Sequence, residues 1–481
     1  MKTLLSRRHL LQSGGAALAV IPMVAQAAPA ISPITESLSS YMSSAGARPL
    51  PADVAEKTKQ HILDTFAAMI SGATLPPGRF DLKFARQYGG GNCTVVASQI
   101  LCGPMEAAMI NALLAHSDET DDSHPGSESH PGSSVVPAAF ATGEQFGGDG
   151  AAFLRAVALG YDIGPRFGAA LGKIEYMVES HRSTHALSGL FGAVAAAGSM
   201  ATLDARQMRW LLSYAAQQAS GLASWQRDVD HIEKAFDFAG MSARNGVTAA
   251  LLVKAGATGV DDVLAGNDNF FEAFKPLRDP SMVVDGLGTR YEVLNTSIKK
   301  WTVGSPIQAP LDALQSLMQA HRFTAEQVKT VTVRVAAGEA TIVDNRAIPD
   351  ICLQHMLAVI LVDGTASFAS AHDVPRMQDP QVLRQRAKIT LVHDDDLQKL
   401  MPARVAVVEV ALNDGTNFSQ RVASVKGTAQ NPMSHDEVVA KARDLMVPVL
   451  GDQRCTRLID AIFGLEQVTS LSQLRPLLQK A

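Results

Sequence analysis

The densest group of ionisable side chains lies between residues 115 and 132, where the sequence reads AHSDETDDSHPGSESHPG. Three histidines and five acids occur in this segment: His116, His124, His130, Asp118, Glu119, Asp121, Asp122 and Glu128. His, Asp and Glu carry general acid–base chemistry near neutral pH. Alanine-rich stretches typical of buried helices flank the segment. We therefore predict that residues 115–132 contribute to an active site.

The residues alone leave three interpretations of this segment open. In the first, a carboxylate holds a histidine in one tautomer while that histidine moves a proton. In the second, two or three histidines and a carboxylate bind a divalent metal ion. In the third, the segment is a solvated loop whose aspartates cap helices. Because no fixed ligand spacing such as HExxH is present, the acid–base interpretation is favoured over the metal interpretation.

The elements that must position this segment are helices. From about residue 34 to 275 apolar residues recur at three- and four-residue spacing throughout, with breaks at Gly, Pro and polar turns. The clearest predicted helices are 53–70, 103–114, 134–146, 150–167, 185–201 and 204–223. We therefore predict a large all-helical domain over residues 31–278.

The pattern changes after residue 300. Residues 328–335 alternate between apolar and polar side chains, which predicts a strand. Residues 404–412 and 418–425 flank Asn413-Asp414-Gly415, a turn sequence typical of hairpins. Helices are expected near 309–320 and 353–361. The protein is thus predicted to be mainly α, with a smaller α+β lid domain over 279–428 and C-terminal helices over 429–481 that pack back on the helical domain.

The N-terminus has the features of an export signal. Ser6-Arg7-Arg8 precedes a short apolar run, and Ala25-Gln26-Ala27 offers a cleavage site. A twin-arginine signal peptide over residues 1–27 is therefore predicted, with a periplasmic location and no membrane association after cleavage. An ordinary amphipathic helix is the alternative.

Composition limits the possible partners. The net charge is −5 and no basic stripe is present, so nucleic-acid binding is not expected. Among the four cysteines, Cys93 and Cys102 are close enough in sequence to form a disulfide in an oxidising compartment. Scattered buried thiols are the alternative.

Five segments resemble, in order, the signature segments of the MmgE/PrpD family, which includes 2-methylcitrate dehydratase, cis-aconitate decarboxylase and iminodisuccinate epimerase. They comprise the run NALLAHSDETDDSH with the later HPG and VVPAA, then STHALSGLFGA, EKAFDFAGMSARNG, IKKW and KGTAQNPMS. Together they extend over most of the chain after residue 110. The resemblance implies a homodimer with a large helical domain and a smaller lid, acting on small carboxylates without metal or organic cofactor.

The resemblance also implies roles for individual residues. The implied catalytic residues are Glu119, Ser123, His130, His185, Lys234 and Lys299, and the implied substrate-binding residues are His116, Asp122, His124, His355 and Arg244. Four positions depart from the decarboxylase branch, with Glu119 for Asp, Ser123 for Thr, His355 for Tyr and Gly304 for His. Lys299 could instead be a surface charge, His185 a core histidine, and Arg244 an ion-pair partner.

These observations lead to one functional hypothesis with alternatives. The two lysines neutralise substrate carboxylates while a histidine, oriented by Glu119 or Asp122, moves a proton next to a carboxylate. Loss of hydroxide makes the protein a dehydratase-type lyase. Epimerisation, decarboxylation and non-catalytic carboxylate binding in the periplasm are the alternatives.

Overall fold

The computed structural model describes residues 30–480. The predicted signal peptide lies outside these residues, so its prediction stays untested. Among residues 30–480, no helix is both long and apolar enough to cross a membrane.

Helices make up the first half of the described chain. They are α1 (Pro33–Ala45), α2 (Ala52–Gly72), α3 (Pro76–Ala85), α4 (Pro104–Ala115), α5 (Pro131–Phe146), α6 (Gly150–Leu171), α7 (Lys173–Ser180), α8 (Thr184–Met200), α9 (Ala205–Gln218), α10 (Ile232–Ala235), α11 (Met241–Lys254) and α12 (Phe270–Phe274). A π-helical turn, Phe236–Gly240, joins α10 to α11. Side-chain caps determine where several of these helices begin. Asp149 and Asp204 accept hydrogen bonds from backbone N–H groups in the first turns of α6 and α9, respectively.

The centre of this helical region is the close packing of α6 against α8. Both helices carry glycines where they cross. A β-carbon at Gly160 would lie 2.8 Å from the Gly192 carbonyl oxygen, and one at Gly192 would lie 2.9 Å from the Gly160 carbonyl oxygen. The glycines therefore let two buried backbones touch, which places the start of α8 and His185 firmly beside α5.

A four-stranded sheet organises the second half. The elements are α13 (Ser305–His321), β3 (Val328–Ala336), α14 (Ala337–Val343), α15 (Leu353–Asp363), α16 (Phe368–Ala371), α17 (Pro380–Arg386), β4 (Ile389–Asp394), α18 (Asp395–Gln398), β5 (Ala406–Leu412) and β6 (Asn417–Val422). The strand order is β4-β3-β5-β6, with β3 and β4 parallel and the other pairs antiparallel. Residues 305–422 are called the α+β region below.

The sheet follows from the alternation in its strands. Val331, Val333 and Val335 are buried on β3, and Val408 and Val410 are buried on β5. They form a second hydrophobic core with side chains from α13 and α15. The mainly α fold with a smaller α+β part is thus confirmed, including the predicted hairpin of β5 and β6.

Two sheet elements differ from the sequence prediction. The helical pattern predicted for 34–275 is wrong at β1 (Gly89–Thr94) and β2 (Leu101–Cys102), which pair antiparallel. The glycine run at the start of β1 carries neither a helical nor a strand period. The sequence prediction also missed β4, whose residues do not alternate clearly between apolar and polar side chains.

Cys93 and Cys102 face each other in the β1–β2 pair as buried free thiols.

The C-terminal helices bring a lysine to the loop after α4. They are α19 (His435–Leu450), α20 (Asp452–Phe463) and α21 (Arg475–Leu478). Lys441 of α19 donates a hydrogen bond to the Thr120 carbonyl (3.0 Å) and lies 2.6 Å from the Asp64 carboxylate. Because Lys441 is buried, these contacts fix the loop between α4 and α5 (residues 116–130), which is called the acidic loop below.

Candidate active site

The carboxylate of Asp121 is the centre of the acidic loop. Its Oδ2 lies 2.9 Å from His116 Nδ1, and its Oδ1 lies 3.1 Å from His130 Nδ1. Lys299 Nζ approaches the same Oδ1 to 3.7 Å. Asp121 has no individual role among the sequence predictions, whereas the structure places it in contact with two predicted site histidines and one predicted site lysine.

The electrostatics of this group fix its protonation. Burial raises the pKa of the Asp121 carboxyl, but His116 and His130 outweigh burial and hold that pKa well below its ordinary value. Burial lowers the pKa of His116 despite Asp121. An ionised carboxylate only accepts hydrogen bonds, so the Nδ1 atoms of both histidines carry the proton. Each Nε2 is then left as a proton acceptor.

Glu119 is held between the two predicted lysines. Lys234 Nζ donates a hydrogen bond to Glu119 Oε1, and Lys299 Nζ lies 3.6 Å from Oε2. Lys299 also donates to the Glu119 carbonyl oxygen at 2.7 Å. Burial raises the pKa of Glu119, but the lysines outweigh it and hold the pKa well below its ordinary value. This wall of the site therefore pairs a carboxylate with two ammonium groups.

Aromatic rings surround these charges. His185 stacks on Phe238 with ring centroids 3.8 Å apart, and His130 lies 5.6 Å from His185. Lys234 Nζ lies 5.1 Å from the centroid of Phe238 and 5.6 Å from that of Trp225. The Lys234 ammonium group therefore lies beside aromatic rings, and such a low-dielectric environment strengthens electrostatic interactions.

Several buried polar atoms in this cluster have no protein partner within residues 30–480. They are His116 Nε2, His185 Nδ1, His231 Nε2 and Trp225 Nε1. Most buried polar atoms in proteins are hydrogen-bonded. These atoms belong to rings whose centroids lie about 5 Å from a neighbouring ring of the cluster, so they are available to a polar ligand.

His116 and His130, together with Asp121, are also the residues that could bind a metal ion. Ligand atoms of His116, Asp121 and His130 lie within 4.8 Å of one another, as a metal site would require. The Lys299 ammonium, 3.7 Å from Asp121, opposes a second cation there. The geometry therefore favours acid–base chemistry, and a chelator experiment distinguishes the two.

Asp122, next to Asp121, points into the helical core. Its Oδ2 contacts His61 Nδ1 at 2.7 Å and accepts a hydrogen bond from Tyr161 OH at 2.5 Å. Its Oδ1 accepts the Gly132 N–H at 3.0 Å. The described partners of Asp122 are thus protein groups of α2, α5 and α6, and its binding role stays a prediction.

Ser123 and His124 of the acidic loop lie outside the His116–His130 cluster. Ser123 pairs through its backbone with Ser297. His124 contacts Ser127 Oγ (2.9 Å) and Glu292 Oε2 (3.3 Å). Both line a cavity of about 560 Å³ that extends to Lys426 and Arg404 and reaches Lys299. This cavity adjoins the His116–His130 cluster at Lys299 and does not contain it.

The structure does not bring His355 and Arg244 into the cluster. His355 is buried on α15; burial lowers its pKa to about 4, and the charges acting on it are Arg386, Arg376 and Asp373. Arg244 on α11 donates to Asn245 Oδ1 and lies over Phe236. Their predicted contact with substrate stays a prediction.

Sequence reasoning missed residues that contact the site from other elements. His231 lies 5.1 Å from His116, ring to ring, and burial lowers its pKa to about 3. His372 of the α+β region lies 2.9 Å from Asp118. His231 precedes Lys234 by three residues, which was an available signal. Nothing local marks His372.

The contact between His372 and Asp118 joins the α+β region to the acidic loop. His372 Nδ1 lies 2.8 Å from the Phe368 carbonyl oxygen. His372 Nε2 lies 2.9 Å from Asp118 Oδ2 in an ion pair that lacks hydrogen-bond geometry. Burial lowers the pKa of His372, but Asp118 outweighs burial and raises it to about 9.

This raised pKa predicts how stability depends on pH. Below the ordinary pKa of 6.5 the ring is protonated in folded and unfolded chains, and its full contribution is present. This contribution to the free energy of unfolding is up to about 3 kcal/mol, and it is lost as pH rises from 6.5 to about 9. We therefore expect the free energy of unfolding, measured with urea across this pH range, to fall more steeply with pH for the wild type than for His372→Gln. Parallel curves would contradict the ion pair.

Two family models and several curated proteins match most of the chain. The family model described as MmgE/PrpD N-terminal domain matches residues 36–282, and the MmgE/PrpD C-terminal domain model matches 301–465. Cis-aconitate decarboxylase of Aspergillus terreus is 26% identical over 92% of this chain and 96% of its own. The cis-aconitate decarboxylase-like protein oryM of Aspergillus oryzae is also 26% identical, over 92% and 97%. Cis-aconitate decarboxylase of Homo sapiens is 24% identical over 93% and 94%.

Proposed function

This chain belongs to the MmgE/PrpD family, and on that premise we propose that it is a cofactor-independent lyase of small polycarboxylates. The relatives support an enzyme of the lyase type, and none of those named above is a non-catalytic carboxylate-binding protein. The observation that carries the proposal is the Glu119 carboxylate held by Lys234 and Lys299 beside the Asp121-bound histidines.

The lysines are the proposed carboxylate-binding groups. Glu119 forms an ion pair with Lys234, and its second carboxylate oxygen lies 3.6 Å from Lys299 Nζ. A substrate carboxylate has the same charge and the same acceptor oxygens as the Glu119 side chain. It can therefore replace Glu119 on Lys234, and the ammonium groups then stabilise the negative charge that develops on the substrate.

His130 is the proposed proton carrier. Asp121 fixes its Nδ1–H, which leaves Nε2 as the acceptor. The His130 side chain is 10% exposed, whereas His116 is fully buried. A substrate can thus reach His130 more readily than His116, and Asp121 stabilises the imidazolium that forms when Nε2 takes a proton.

Decarboxylation is the first reaction to test, because the relatives named above are cis-aconitate decarboxylases or resemble them. Dehydration is the second candidate. Gly304 and His355 stand where the decarboxylase branch resembled here carries a histidine and a tyrosine, so the chain departs from that branch at these two positions. Both reactions need a proton-transfer group next to a carboxylate-binding group, so the geometry serves either.

A substrate panel tests the proposal. We expect mass spectrometry of the purified protein with cis-aconitate and with hydroxy tricarboxylates to show loss of carbon dioxide or of water from at least one. Lys234→Gln is expected to lower that turnover about 100-fold by removing an ammonium group. Lys254→Gln, at the exposed end of α11, is the matched control and should not.

Two outcomes would contradict the proposal. Binding of these acids without any product would favour a binding protein. Loss of turnover with a chelator, restored by a divalent cation, would favour a metal site at His116, Asp121 and His130.

A further inference from the structure

Asp237 is a buried acid beside the active site that the proposed mechanism does not use. It lies in the π-helical turn Phe236–Gly240, and only 6% of its surface is exposed. Its Oδ2 accepts a hydrogen bond from Ser183 Oγ. Ser183 is the N-cap of α8, and the same hydroxyl accepts the Ala186 N–H at 3.3 Å. The carboxylate therefore joins the π-helical turn to the start of α8.

A third segment, which leads into Trp225, runs against the same carboxylate. Gly221 has a φ of +116°, and a β-carbon there would lie 2.9 Å from Asp237 Oδ1 and 3.1 Å from the Ser183 β-carbon. The Ser183 N–H donates to the Gly221 carbonyl at 3.1 Å. Glycine allows this close approach of the backbone. Asp237, Ser183 and Gly221 are called the Asp237 junction below.

Each segment of the Asp237 junction carries one aromatic ring of the site. His185 is on α8, Trp225 follows Gly221 in the 3-10 turn, and Phe238 is next to Asp237. The ring centroids of His185 and Phe238 are 3.8 Å apart, and that of Trp225 lies 4.6 Å from Phe238 and 5.5 Å from His185. The junction thus connects the backbones of three rings that pack on one another.

Lys234 is held by contacts outside this junction. Its backbone N–H donates to Asp228 Oδ2 at 2.8 Å, and its ammonium group donates to Glu119. Loss of the junction should therefore displace His185 more than the ammonium group that binds carboxylate. The His185 ring lies 5.6 Å, centroid to centroid, from His130, the proposed proton carrier. A displacement of His185 is therefore expected to affect the chemical step more than substrate binding.

We propose that Asp237 is a positioning residue of the active site, which holds the His185 ring stacked on Phe238 and beside His130. Its kinetic consequence rests on the proposed lyase function. Proton transfer stays with the groups that touch substrate, and Asp237 acts through His185. Misplacement of such a group by about 1 Å can lower turnover about 100-fold.

The kinetic test compares Asp237→Ala, Asp237→Asn and Ser183→Ala. Alanine removes one partner of the hydrogen bond, whereas asparagine has nearly the same shape as aspartate and keeps an acceptor oxygen for Ser183. We expect kcat to fall about 10-fold or more in both alanine variants with little change in KM, and Asp237→Asn to recover most of this loss. The double alanine variant should lose no more than Asp237→Ala, because both changes remove the same contact.

Asp262→Ala is the matched control. Asp262 likewise accepts a hydrogen bond from a side-chain hydroxyl at the start of a helix, that of Thr35 on α1 at 2.5 Å, and also accepts the Ser32 N–H. None of these partners is a site residue, so kcat should equal that of the wild type. Ser183→Ala removes only a hydroxyl group and tests the same contact if Asp237→Ala does not fold.

A spectroscopic measurement without substrate tests the position of His185 directly. In protein labelled with carbon-13 at histidine Cε1, the His185 resonance is the one missing from His185→Asn. Its Cε1 proton should be shifted upfield by the Phe238 ring in the wild type and in Asp237→Asn, and this shift should be lost in both alanine variants. An unchanged His185 resonance, or a wild-type kcat in both alanine variants, would overturn the inference. Absence of wild-type turnover refutes the proposed function, and the resonance then decides whether Asp237 positions the ring.

Discussion

Replacing His130 with Asn is expected to lower turnover about 1,000-fold while the protein remains folded. His130 Nδ1 donates to Asp121, and Nε2 is the proposed acceptor of the substrate proton. Asparagine preserves a donor toward Asp121 but has no basic nitrogen. Steady-state kinetics with the substrate found in the panel measures the effect.

Deuterium exchange separates a chemical role of His130 from a binding role. In D2O the wild type should incorporate deuterium at the carbon next to the reacting carboxylate, and His130→Asn should not. His435→Asn is the matched control, because His435 is exposed and contacts Glu56 far from the site. Exchange in His130→Asn at the wild-type rate would assign proton transfer to another group, such as His116 or His185.

The sequence predicted the helices and the alternating strands because these depend on local periodicity. The α8 helix and the β5–β6 hairpin both appear close to their predicted bounds. The small β1–β2 pair was missed because three consecutive glycines have no hydrophobic period. Local patterns thus accounted for elements whose stability comes from one buried face.

The site was harder to predict because it depends on which way neighbouring side chains point. Asp121 and Asp122 are adjacent and chemically identical, yet one contacts His116 and His130 and the other faces His61. The Ser123–Ser297 backbone pairing and the Gly132 N–H fix this division. Both interactions join residues distant along the chain or in different elements, so composition could not show them.

The family resemblance supplied the long-range pairings that local patterns lacked. It named Lys234 and Lys299 together with Glu119, and the structure brings the three into contact. It did not name His372, which contacts Asp118 from more than 200 residues away. This contribution of the α+β region became visible only when the fold was in place.

Replacing Asp122 with Ala is expected to lower the free energy of unfolding by about 3–5 kcal/mol. The change leaves His61 Nδ1, Tyr161 OH and the Gly132 N–H buried without their acceptor. Burial raises the pKa of Asp122, but His61 and Tyr161 outweigh it and lower the pKa. Its contribution is therefore present above the ordinary value of 3.8 and lost as pH falls through the folded pKa.

Urea unfolding followed by circular dichroism measures this effect at neutral pH and at acid pH. Asp122→Asn should lose less than Asp122→Ala, because its amide oxygen still accepts a hydrogen bond. Asp396→Ala is the matched control, since Asp396 is exposed in an ion pair with Lys399, and its loss should stay below about 1 kcal/mol. If Asp122→Ala unfolded like this control, the carboxylate would not be the acceptor that holds α5, and Asp122 would again be a candidate for binding substrate.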